Sequence, residues 1–145
     1  MVESLFPYIL SVHVGIVFVL VPLILWTDHL GLNWVRGKTE TIDARTLQRL
    51  HRLVWAGLCG MIVTGILLAY PYTDYLFNLT PFLIKVGFVA ALVVNGLVIG
   101  KLMHIATRQP FRELGKRERI PLFVSAAVST VSWVGAILMA TMLNL

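Results

Sequence analysis

Four long stretches of this chain carry almost no charge: 4–27, 53–73, 75–100 with Lys85 as its one ionised residue, and 120–145. About 20 apolar residues in a helix cross the ~30 Å hydrocarbon core of a bilayer, and backbone groups in lipid must be paired within their own segment. The pattern therefore predicts an all-α integral membrane protein, a four-helix up-and-down bundle with helices near 5–27, 53–72, 81–104 and 120–143 and one transmembrane domain over 1–145. Composition agrees, since 58% of the 145 residues are hydrophobic and 13% charged, with a mean hydropathy of +0.84. Soluble domains run near 45–50% apolar and about 25% charged, so a water-covered enzyme or nucleic-acid-binding domain is excluded. The single cysteine, Cys59, lies in an apolar run and offers neither a disulfide framework nor a thiolate metal site. A cleaved leader does not fit the first stretch, which starts with Glu3 in place of a basic residue and has too long an apolar run.

Eleven of the twelve basic residues fall in the two connections expected on one side: Arg36, Lys38, Arg45, Arg49 and Arg52 in one, and Lys101, Arg108, Arg112, Lys116, Arg117 and Arg119 in the other. Basic short loops stay cytoplasmic, which predicts both termini on the outer, periplasmic side of a bacterial inner membrane. The net charge of +5 is then a topology signal with some attraction for anionic lipid heads, and no nucleic-acid partner is expected. Within the first basic connection, 41–52 reads as a polar continuation of the second helix, capped by Thr41 or Asp43, with Leu47 and Leu50 inward. On the outer side, 71–75 reads as a short proline turn with aromatic residues at headgroup level.

Helices associate in lipid through small residues and interhelical hydrogen bonds. Gly57, Gly60, Thr64 and Gly65 form one such seam. Gly87, Ala91 and Asn95 form a second, Ser125, Ser129, Ser132 and Ala136 a third, and Gly96 with Gly100 gives a pair suited to helix packing or to a homodimer. Pro22 is expected to kink the first helix unless neighbours satisfy the carbonyl it frees.

Ionisable groups at membrane depth are costly and each is a functional candidate. His13 lies about eight residues into the first helix, ~12 Å deep, and Lys85 about four residues into the third from the same side. Met61 and Met139 sit at neighbouring depths and would supply a soft sulfur. An imidazole with methionine or a second nitrogen is the ligand set a haem iron accepts in a four-helix core. His13 is accordingly read either as an axial ligand of haem b or as a buried histidine bonded to a serine, threonine or carbonyl. At the inner boundary Asp28, His29, His51 and His104 share one level. His51 and His104 could hold one iron between them, Asp28 with the two histidines could hold a divalent metal, or Asp28 could simply pair with Arg49 or Arg52.

A histidine partway into the first of four helices, with Phe82-Leu83-Ile84-Lys85-Val86-Gly87-Phe88-Val89 opening the third, resembles the small bacterial membrane proteins that include the four-helix protoporphyrinogen oxidase and the copper-resistance D-like proteins. Val54-Trp55-Ala56-Gly57-Leu58 and Thr64-Gly65-Ile66-Leu67-Leu68 are similar to segments of four-helix bacterial membrane proteins as well. The resemblance implies functional roles for His13 and Lys85, haem binding and porphyrinogen oxidation; electron exchange with a quinone is the other redox role considered for a haem protein of this kind. Two classes of function follow from the sequence. One is a haem-binding membrane redox protein, with Lys85 as the catalytic or substrate-carboxylate contact. The other is a non-enzymatic small transporter or an accessory subunit, with Asn95, Thr64, Ser129 and Ser132 lining a polar path.

Overall fold

The computed structural model describes residues 2–143 and their side chains from Ser4 onward, which leaves the side chain of Glu3 outside the described residues. The described residues are 86% helical, and no strand occurs among them. In order it forms α1 (Val2–Val35), α2 (Ala44–Ala69), a 3₁₀ turn (Tyr70–Tyr72), α3 (Thr73–Leu76), α4 (Thr80–Ala106), a second 3₁₀ turn (Phe111–Glu113) and α5 (Lys116–Thr141). Four helical spans, Ser4–Val35, Ala44–Leu76, Thr80–Ala106 and Lys116–Thr141, are long and apolar enough to cross a membrane. Their outer faces are apolar too: Phe18 is 76% exposed, Val19 69% and Val94 62%. Apolar surface of that extent marks a face made for lipid or for another protein.

Helix ends depart from the expected ones in ways the capping chemistry explains. The first helix continues through Asp28 and His29, so these residues lie inside α1 and do not end it. The Asn33 amide donates to His29 Nε2 at 3.0 Å, an i,i+4 pair that keeps the turn helical. The stop is Gly37, whose φ of +71° is the left-handed conformation that glycine adopts without strain. Lys38 N–H then reaches Asn33 O at 2.9 Å and Gly37 N–H reaches Trp34 O at 3.0 Å, the paired bonds of a Schellman motif. Pro7 and Pro22 both lie within the continuous α1. Asp43 caps α2 as expected, its Oδ2 accepting from Thr46 N–H at 2.8 Å and Thr46 Oγ1 at 2.7 Å. These bonds hold its carboxyl below the ordinary aspartate range. Leu47 is buried and Leu50 half-buried, in line with the inward face expected for them. The helix near 120 starts earlier, at Lys116, because Glu118 Oε2 accepts the Gly115 N–H at 3.1 Å. The expected proline turn at 71–75 is instead a 3₁₀ turn running directly into α3, since the fixed φ of Pro71 suits a first helical turn.

The chain divides into two compact units, Met1–Tyr72 with Met103–Glu113 and Thr73–Leu102 with Leu114–Leu145. In the first, α1 and α2 pack antiparallel. Leu20, 2% exposed, lies directly on Gly57, and a Cβ built on Gly60 would stand 3.1 Å from Ile16 Cδ1. Glycine in these positions lets the backbones approach, as the seam predicts. At the other end of this unit Trp34 Nε1 donates to Gln109 O at 3.1 Å, Trp34 meets Phe111 edge to face at 5.3 Å, and Ile42 N–H donates to Ala106 O at 2.9 Å. In the second unit, Asn95 and Ser125 are both buried and bond reciprocally: Asn95 Nδ2 donates to Ser125 O at 2.9 Å, and Ser125 Oγ donates to Asn95 Oδ1 at 2.8 Å. Phe88 lies against Gly135 farther along the same two helices.

Candidate functional site

The α1–α2 seam ends on His13. Two turns beyond the Leu20–Gly57 contact, His13 Nδ1 and Thr64 Oγ1 are 2.7 Å apart, and a Cβ on Gly65 would lie 3.5 Å from His13 Cε1. The imidazole is half-buried. Thr64 Oγ1 also lies 2.7 Å from Gly60 O and 3.3 Å from Met61 O. With the hydroxyl proton on Gly60 O the threonine oxygen accepts from His13 Nδ1–H, and with it turned toward the ring Nδ1 accepts instead. The first arrangement puts the ring proton on Nδ1 and the lone pair on Nε2. A histidine that ligates a metal is held in this way, one ring nitrogen donating to a fixed oxygen and the other presenting its lone pair. The same arrangement equally satisfies a buried histidine with no ligand, so the hydrogen bond by itself gives the ring's orientation and not its task.

The remaining candidates are distributed. In the first unit Asp28 and His104 are exposed, and His51 is half-buried with its Nε2 accepting the Trp55 indole N–H at 3.1 Å. Indole can only donate, so that lone pair of His51 is engaged, and ligation through Nε2 would require breaking the bond. Among the described residues no group of three or more His, Cys, Asp or Glu side chains is placed to hold a metal ion. In the second unit Lys85 is half-buried in the second turn of α4, and Met139 is half-buried near the end of α5. Met61 is half-buried on α2, one turn before Thr64. Of the sequence candidates, the first unit thus brings His13 together with Thr64 and the seam glycines, and engages His51 with Trp55.

Two partners had escaped the reading of the sequence. Thr64 was read as a seam residue or as part of a polar path, and a threonine was among the partners allowed for His13, but the order of residues does not single out this one. Trp55 stands four residues after His51, the spacing at which helix neighbours meet. Comparison with known protein families, curated proteins and solved structures finds no match to this chain.

Proposed function

We propose that this chain is a multi-pass protein of the bacterial inner membrane that binds haem b with His13 as axial ligand and works as a redox protein. It would exchange electrons with a quinone or act on a porphyrin-like substrate. The observation that carries the reading is the His13–Thr64 bond, which orients the imidazole set deepest in an uncharged span as the partner of a metal-ligating histidine does. Haem, when bound, supplies a one-electron couple at its iron. His13 would hold the iron through Nε2, Thr64 would keep the ring from turning, and Gly65 leaves the imidazole edge uncrowded. Met61, on the same helix pair, would provide a soft second ligand. Both termini face outward in this reading, and the two basic connections stay inside. The transporter alternative is weakened by Asn95 and Thr64, since each spends its polar groups on helix contacts and not on a path.

Protein purified from haem-replete cells is expected to show a Soret band and a dithionite-reducible α band, both lost in His13→Ala and retained in His51→Ala and His104→Ala. Colourless protein overturns the haem reading, and paired loss with His51 and His104 moves the site to the inner boundary. For orientation, with Cys59 replaced, an impermeant thiol reagent added outside should label Tyr75→Cys and spare Gly115→Cys.

A further inference from the structure

Along α1 and the basic half of α2 runs an open apolar groove of about 730 Å³. Val12, Gly15, Val19 and Trp26 of α1 line one side, and Leu50 and Leu53 of α2 the other. No titratable side chain lines it. From Trp26 to Val12 the strip rises about 21 Å, and from Trp26 to Ile16 about 15 Å, which is the depth of one leaflet of a ~30 Å hydrocarbon core. Residues of both helices line the groove over Leu20–Trp26 and Leu50–Gly57, at the end where the chain's charge begins. There Arg45, Arg49 and Arg52 recur at i, i+4 and i+7 on α2, all exposed, as a basic stripe beside the one that holds Leu50 and Leu53. The nearest acid on α1, Asp28, stands two residues past Trp26 and thus about 200° around the helix from it.

A leaflet-deep apolar slot with a cationic stripe at its mouth fits one kind of molecule. We infer that this groove is a binding site for an anionic phospholipid, one acyl chain lying along Trp26, Val19 and Gly15 and the phosphate headgroup against Arg49 and its neighbours. The charge at the mouth selects an anionic head over a neutral one. The apolar lining selects a chain over a polar ligand. The site is independent of haem binding and of Lys85.

The two ends of the site can be tested separately. Gly15 lines the groove and has nothing within 4 Å of a built Cβ, so Gly15→Leu adds apolar bulk to the groove at a point where its Cβ meets no protein atom. Arg49→Gln removes charge and leaves the slot open. The full chain in non-ionic detergent, given equal phosphatidylglycerol and phosphatidylcholine, is measured by native mass spectrometry. Wild type should retain one phosphatidylglycerol in preference to phosphatidylcholine. Arg49→Gln should reduce that preference about fivefold, the effect of one surface cation on an anionic lipid. Gly15→Leu should lower retention of both lipids while the protein stays monodisperse. Equal retention of the two lipids by wild type overturns the inference, as does an Arg49→Gln preference unchanged from wild type. So does undiminished retention in Gly15→Leu, or a second copy of the chain occupying the site in place of lipid.

Discussion

Replacing Thr64 by valine keeps the shape of the side chain and removes the one oxygen that meets His13 Nδ1 at 2.7 Å. Two losses follow. The interhelical bond disappears, and bonds of this type between membrane helices are worth about 0.6 kcal/mol on average and up to about 1.7. Nδ1 is also left without its partner on α2, and an unsatisfied buried polar group costs about 1–3 kcal/mol unless the ring turns or water reaches it. Thr64→Val is therefore expected to destabilise by about 1–2 kcal/mol, and Thr64→Ser, which keeps the oxygen, by much less. His13→Ala removes the ring, so in that background Thr64→Val should have little further effect. Reversible unfolding in mixed detergent–SDS micelles measures all four corners of this cycle. A coupling of about 1 kcal/mol is expected between the two positions. Additive single-mutant effects, or equal losses for serine and valine at position 64, would refute the His13–Thr64 hydrogen bond. If haem is bound, the same valine variant should weaken it about 10- to 100-fold, the usual cost of losing the group that orients a ligand.

Two further outcomes are expected. A methyl group on Gly57 would overlap Leu20, with Leu20 Cγ at 2.7 Å and Cδ1 at 2.9 Å, so Gly57→Ala should destabilise by about 1–3 kcal/mol and Leu20→Ala should recover part of that loss in the double variant; an unchanged unfolding midpoint for Gly57→Ala would contradict the close helix approach. Asp43 has its carboxyl held below the ordinary value by the Thr46 hydroxyl and N–H, so its contribution is present above the unfolded-state pKa of about 3.9 and is lost as pH falls through the lower folded value; Asp43→Asn keeps a capping side chain, and its stability should lack that acid-side loss in a pH series.

Much of this molecule was already written in the order of its residues. Four uncharged stretches can only be helices if they are to lie in lipid, and that constraint needs no tertiary contact. The α1–α2 seam was legible because glycine and threonine at 57, 60, 64 and 65 have no better use on one face of an apolar helix. The capping aspartate was legible because its chemistry is local. The end of α1 was equally local, yet the charge at Asp28 and His29 drew the boundary eight residues early, away from Gly37, whose left-handed φ terminates the helix.

What no run of residues could specify is which side chain on one helix meets which on another. That is set by the antiparallel register of packed helices, fixed by Leu20 seating on Gly57, and it decides that His13 meets Thr64. It likewise pairs Asn95, a candidate for a polar path, with the seam residue Ser125, and the two satisfy each other. Composition and period determine that helices form and which faces are apolar, because those depend on each segment alone. That the Thr64 hydroxyl meets both Gly60 O and a histidine 51 positions away depends on how two helices pack, and only the tertiary structure decides it.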